Sequence, residues 1–450
     1  MKTYQELIAA VHVPEFIATA INEHKASEAY RVAADAEQYY AKKNVTMEAF
    51  QKVIRDVNGR SHVDYFSANY KLKTSFFRRF VIQQVQYILS NGVTFEKEDT
   101  DKKLGIDFDY TIQTAAKKSM VDGVVFLFWN YDHLEVFPFA DTPKEPGFAP
   151  LYDEETSELK AGIRYWSAIS SDTMRATLYE VDGYTDYIKR KGEEWQELNA
   201  KRSYKNTTVT TRAGGVEYEA GENYGVLPIV PMYANDLRES EIVGIRESID
   251  CYDFIKSGLA DDIDDSSSFY WTLKNTGGMD DMDLQKFIER MRVVRAAVLD
   301  DDVEAEAHTM EIPVEARAKM LEILKSDLYE DFQIVNVKEL SAGNKTATEI
   351  RAAYQPMDDK CGDFEYCIRD AIANLFKLIG IEDEPSFKWN RIANQTEETQ
   401  MILSAANYLD EELILKKLPW LTPEDVAALL ERKDAEALER MIVTGTPVEE

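Results

Sequence analysis

The stretch from Ile312 to Gly380 constrains this 450-residue chain more than any other. Its first part, Ile312 to Gln333, reads as an amphipathic helix, and a polar loop follows over Ile334 to Lys345. Beyond the loop, apolar residues recur at intervals of three and four through Ile350, Tyr354, Met357, Cys361, Phe364, Ile368, Ile372 and Phe376, which places them on one face of a second, longer helix. Its start is marked by Thr346-Ala347-Thr348-Glu349, where the threonine can accept from the glutamate amide while the glutamate reaches back to the threonine amide. Gly380 supplies the stop. The second helix should therefore run for roughly 33 residues, about 50 Å at 1.5 Å per residue, with a kink at Pro356.

A further long amphipathic helix is expected over Asp236 to Asp265. Ile242, Ile245, Ile249, Tyr252, Ile255, Leu259 and Ile263 form one apolar stripe, and the segment holds ten acids against three bases. Between the two helical regions lies Ser266 to Glu311, which reads as an inserted αβ module. Phe269–Leu273 is its first strand, Gly277-Gly278 a turn, Met282–Arg292 a short helix, and Val293–Leu299 with Glu304–Ile312 a pair of strands.

The first 60 residues look helical and polar, and a helix is expected from Ser67 to Leu89. Another, over Phe108 to Lys118, leads into Gly123–Trp129, whose aromatic and β-branched content suits a buried strand. Gly162–Ile169, Met174–Glu180 and Tyr184–Lys189 then alternate as a meandering antiparallel sheet with a turn at Asp182-Gly183. The fold class is α+β.

Several function classes are disfavoured. The densest apolar run, Val124 to Trp129, is far short of the roughly 18 residues a membrane-spanning helix needs, so neither export nor membrane insertion is indicated. Cys251, Cys361 and Cys367 lack Cys-x-x-Cys spacing and fit a reducing cytoplasm. A formal charge of −30, from 82 acids and 52 bases, is the opposite of what a tight phosphate-neutralising DNA binder carries. It is compatible with a conduit through which DNA slides without sticking, but composition alone favours simple solubility. Gly343-Asn344-Lys345-Thr346 imitates the end of a phosphate loop, but Asn344 interrupts it and position 338 is a lysine where a glycine belongs. The clusters Asp261-Asp262-Ile263-Asp264-Asp265 and Asp300-Asp301-Asp302 lack the ligand alternation of a calcium loop, and His12, His24, His62, His133 and His308 are scattered. No catalytic residue, metal or cofactor is expected, and the chain is read as a non-enzyme.

The run Ala342-Gly343-Asn344-Lys345-Thr346-Ala347-Thr348-Glu349-Ile350 and the helix after it resemble the tunnel loop and wing helix of tailed-bacteriophage portal proteins, of the type found in long non-contractile-tailed phages. Three segments agree in the right order: Tyr70–Lys73 through Ile88–Thr94, Pro150–Asp153 with Ala161–Trp166, and Phe387–Arg391 followed by Glu411–Leu413 and Leu418–Leu421. The resemblance spans roughly residues 45 to 435 and rests on that order.

It implies an N-terminal region and wing over 1–235, a first stem helix over 236–265, a clip over 266–311 and a second stem helix over 312–333. A tunnel loop over 334–346, a long wing helix over 347–385 and a helical crown over 386–450 would follow. It further implies a homo-oligomeric ring of twelve subunits forming a channel for double-stranded DNA, without sequence specificity and without a membrane. Expected partners are the terminase motor, the head-completion adaptor, and the major capsid and scaffolding proteins, at a capsid vertex of a virion assembled in the host cytoplasm. Lys338, Ser341, Gly343, Asn344 and Lys345 would form the DNA-channel loop, and Glu247, Asp250 and Asp253 would face the channel. Ile242, Ile245 and Ile249 would pack against Val314, Leu321, Leu324 and Leu328 and against adjacent subunits. The alternatives are a structural head or tail assembly protein without a channel role and, third, an acidic hydrolase.

Overall fold

A computed structural model describes residues 1–55, 59–65, 67–168, 172–205, 208–212, 215–219, 221–265, 270–274, 304–308, 313–341, 347–390, 402–408, 410–418, 426, 428–430 and 432–433. The chain divides into one unit of Met1–Ile334 with Lys360–Lys388 and a second of Val335–Asp359 with Trp389–Glu450.

Capping sets the first helices. Thr3 and Glu6 form a reciprocal capping box at the start of α1 (Tyr4–Ala9). Ser27 ends α2 (Val13–Ala26) by donating to the His24 carbonyl oxygen at 2.7 Å, and it starts α3 (Glu28–Tyr40) by accepting from the Tyr30 amide. The short helix α4 (Val45–Ala49) precedes a hairpin of β1 (Val53–Arg55) and β2 (Ser61–Val63). Next come α5 (Phe76–Leu89), β3 (Val93–Thr94), α6 (Glu98–Leu104) and α7 (Phe108–Asp122). The expected helix from Ser67 is thus corrected to begin at Phe76.

Gly123 turns α7 into β4 (Val124–Asn130) with φ +88°, and a Cβ there would sit 2.8 Å from the Glu239 backbone, so only glycine fits. β4 is buried along nearly its whole length, as its composition predicts. β5 (His133–Pro138), β6 (Gly147–Tyr152), β7 (Leu159–Ser167), β8 (Met174–Glu180), β9 (Gly183–Lys189) and β10 (Gln196–Glu197) follow, then the hairpin β11 (Thr208–Arg212) and β12 (Gly215–Glu219), then β13 (Ile229–Tyr233). The order β10-β9-β8-β7-β6 makes the expected antiparallel meander, and β13-β4-β5 makes a second antiparallel sheet. The meander buries both faces. Ala149, Ile163, Tyr165 and Leu178 pack with Phe16 and Ile17 of α2, while Phe148 and Tyr179 join Phe126, Phe128 and Phe137 of the smaller sheet. Alternation along each strand separates the two cores.

After β13 the chain forms α8 (Arg246–Asp265), β14 (Tyr270–Lys274) and β15 (Glu304–His308), then α9 (Val314–Asp331), α10 (Val337–Ser341) and α11 (Ala347–Ile379). β16 (Ser386–Phe387) returns to pair with β3, and α12 spans Glu411–Lys417. At 33 residues α11 has the expected length, and it runs past Pro356. Gly380, at φ +72°, ends it, and the Ile381 amide donates to the Phe376 carbonyl oxygen at 3.0 Å. The capping threonine Thr346 lies outside the described residues.

One buried group in the first unit makes a sharp pH prediction. His24 is enclosed by Phe139, Tyr30 and Tyr165 with ring centroids at 4.6, 5.1 and 5.9 Å. Its Nε2 lies 3.0 Å from the Phe139 carbonyl oxygen and so carries the hydrogen, while Nδ1 has no hydrogen-bond partner. Burial pushes its pKa down to about 4. The unfolded imidazole takes up a proton near pH 6.5, so the stabilising contribution is full above that pH and is lost as pH falls toward 4, amounting to about 3 kcal/mol. The fall in Tm between pH 7 and 4.5 should therefore be smaller in His24→Phe than in the unmodified protein. Equal falls in both would remove His24 from the account.

Candidate channel segments

The first expected stem helix is shorter than its apolar stripe implies. Residues 236–245 form turns, and α8 starts only at Arg246, because Arg238 and Gly244 take positive φ values of 58° and 88° that a helix cannot contain. Ile242 still lies close by, its carbonyl oxygen accepting from the amides of Ile245 and Arg246. Ile242, Ile245 and Ile249 are all buried within the chain. The second helix, α9, packs along α8 with Leu324 and Leu328 buried, Leu321 half-buried and Val314 exposed. α9 ends where Gln333 turns to φ +56° and the Ile334 amide donates to the Tyr329 carbonyl oxygen at 2.9 Å. Lys360 of α11 donates to the Phe332 carbonyl oxygen at 3.1 Å and pairs with Glu241 at 2.6 Å, placing a cation at the negative end of α9.

Three acids of α8, Asp250, Asp253 and Asp261, face the N-terminal region. Asp250 accepts from the hydroxyls of Tyr39 at 2.6 Å and Thr46 at 2.7 Å, and Arg246 pairs with Asp35 at 2.8 Å. Asp253 is fully buried; it accepts from the Asn44 side-chain amide and, at 3.0 Å, from the Thr74 backbone amide. One helical turn on, Ser257 accepts from the Leu72 amide at 3.0 Å, and one turn further Asp261 accepts from the Tyr70 amide at 2.7 Å and pairs with Lys52 at 3.2 Å. Every second amide of the extended segment Tyr70–Thr74 thus meets every fourth side chain of α8. This ladder keeps those residues out of a helix, which is why α5 begins late. It also revises the channel-facing set: Asp250 and Asp253 are taken up inside the chain, and only Glu247 of the three is exposed.

The expected polar loop holds a short helix, α10, that carries Lys338 and ends at Ser341. Gly343, Asn344 and Lys345 lie outside the described residues. In the expected clip region, Tyr270–Lys274 pairs antiparallel with Glu304–His308, Tyr270 opposite His308. Sequence reading paired the second of these with Val293–Leu299, which lies outside the described residues. The residues it missed are Tyr70, Leu72 and Thr74, whose backbone carries the contact; the one sequence signal was the four-residue spacing of Asp253, Ser257 and Asp261. Among the described residues no group of three or more His, Cys, Asp or Glu is placed to hold a metal ion.

The packed helices α8 and α9 flank the β14–β15 pair in the chain, and the long α11 follows them. The profile of the family described as "Phage portal protein, SPP1 Gp6-like" matches residues 19–439, most of the chain. The chain belongs to this portal family. A portal protein of Clostridium phage phiCD119 is 24% identical over 425 residues, 88% of this chain and 90% of that protein. A portal protein of Bacillus phage SPP1 is 23% identical over 423 residues, 88% of this chain and 82% of that protein. Among solved structures, a chain from the virion of a native gene transfer agent (GTA) particle is distantly similar, with a TM-score of 0.41 and 12% identity over 75% of this chain and 87% of its own. The match places this member of the portal family among the head-tail connectors of phage virions, and its fold is mixed helix and sheet.

Proposed function

We propose that the chain assembles into a closed ring of twelve identical subunits at one capsid vertex and forms the channel through which DNA enters and leaves the head. The family match over residues 19–439 carries this reading. The succession of α8, the β14–β15 module, α9, the short α10 with Lys338, and α11 supports it. On this reading residues 266–311 are the clip that receives the terminase motor and later the head-completion adaptor, and residues 334–346 border the bore. The major capsid and scaffolding proteins surround the ring, which is assembled in the host cytoplasm and retained in the virion. Contacts to DNA are to phosphates and without sequence specificity. The role is structural, and ATP hydrolysis belongs to the motor. Mass measurement of the native purified protein, with electron-microscope images, tests the ring: twelve copies of a 51.5 kDa chain give roughly 0.6 MDa and a central hole. A monomer, or an assembly without a hole, would sink the channel reading and favour a plain head or tail component.

A further inference from the structure

Residues 42–79 run against the charge of the whole chain. They hold nine Lys or Arg and three Asp or Glu, a net of +6 in a chain of −30. Folding brings Lys43, Lys71 and Lys73 together around Glu48. Lys73 pairs with Glu48, and Lys71 Nζ donates to the Glu48 carbonyl oxygen at 2.9 Å. The Lys73 hydrogen bond, with the fields of Lys71 and Lys43, holds the Glu48 carboxyl below its usual range. Alongside, Arg78 lies over the Tyr40 ring at 5.6 Å and Arg79 over Phe76 at 4.8 Å. Lys42, Lys43, Arg78 and Arg79 are exposed and enter no ion pair among the described residues. Tyr70 and Leu72, interleaved with the lysines, keep 47% and 37% of their surfaces in solvent.

A surface of opposite sign lies elsewhere on the same unit. Asp363 and Asp370 of α11 are exposed, as is Asp236. With Glu241 they surround Cys367, whose thiol is pushed up by burial and then by these four carboxylates. Tyr366, three residues from Asp363 and four from Asp370 on one helix face, is 70% exposed, and Leu237, next to Asp236, is 72% exposed. Each surface therefore has exposed apolar side chains within a charged surround, the composition of a protein interface. The two are complementary in charge.

Two complementary surfaces on one molecule can pair reciprocally in a two-fold dimer or repeat head to tail, and a ring uses the second arrangement. We infer that the basic surface around Lys42, Lys43 and Arg78 of one copy seats against the acidic surface around Asp363, Tyr366 and Asp370 of the next. The inference rests on the ring reading above and names the surfaces that close it. The exposed Tyr70 and Leu72, together with a matched acidic surface on the same chain, favour a second copy over DNA as the occupant.

The test uses two full-length variants. Lys42→Glu/Lys43→Glu/Arg78→Glu makes both surfaces acidic, and Asp363→Lys/Asp370→Lys makes both basic. Each alone should lose at least tenfold of its assembled mass at about 0.1 M salt, where surface charges still act over about 10 Å. Mixing the two should restore assemblies in which the variants alternate, and added salt should dissolve them. Circular dichroism checks that both remain folded. Normal assembly of either variant alone, or a mixture no better than its components, overturns the pairing. So does a triple variant that assembles normally but no longer retards duplex DNA in a gel, because the basic surface then serves DNA. If the unmodified protein forms no closed ring, the ring reading fails, and the same mixing, read on dimers and short oligomers, still decides the pairing.

Discussion

Ile249→Asp is expected to prevent folding of the first unit, well before ring assembly is at stake. Ile249 is 1% exposed on the first turn of α8. The change removes a packed side chain, worth about 2–5 kcal/mol by analogy with large-to-small core substitutions. It also buries a carboxylate without a partner, at a cost of several kcal/mol more. Against a typical domain stability of about 5–15 kcal/mol, the sum takes most of what is there. Ile249→Val, which removes one methyl group, should cost about 1 kcal/mol and serves as the control. Soluble yield and thermal melting decide. A soluble Ile249→Asp protein melting like the parent would show that this residue is not in the core.

The second large effect is expected from Asp253→Ala. The substitution leaves the Thr74 amide and the Asn44 side chain without their acceptor in a site closed to water. Unmade bonds to a charged group of this kind cost about 2–4 kcal/mol. Asp250→Ala should cost less, about 1–2 kcal/mol, because the Tyr39 and Thr46 hydroxyls can turn toward other partners. Urea unfolding of the two variants gives the comparison directly. A wall residue of a channel would behave in the opposite way, with stability unchanged and only DNA passage altered, so an Asp253→Ala protein of parental stability would return that acid to the channel face.

Long helices and the sheet were legible because their signals are local. The apolar period and Gly380 mark α11, and alternation with Asp182-Gly183 marks the β8–β9 hairpin, whose strands meet at Glu180 opposite Gly183. The acidic face of α8 was misread for a physical reason: a carboxylate that accepts from a distant backbone amide looks, in sequence, the same as one left in water. Asp253 and Thr74 are 179 residues apart, and no period or motif links them. The late start of α5 follows from that same contact, since the helical character of residues 67–75 yields to amides already satisfied elsewhere. Arg238 at positive φ was equally hidden, because the residue type alone does not announce that conformation.

The strap of Tyr70–Thr74 along α8 works as a vernier. Two residues of extended chain advance about 6.4–6.8 Å, whereas four residues of helix advance about 6.0 Å, so each rung adds a mismatch of about 0.4–0.8 Å. Successive acceptors also wind about 40° further around the helix axis. Three rungs can absorb this through side-chain torsions; a fourth would have to span about 1.2–2.4 Å of accumulated error, more than the range of hydrogen-bond lengths allows. The pairing of strand to helix therefore limits its own length, and the chain has to leave α8 close to where Ser75 turns it into a new helix.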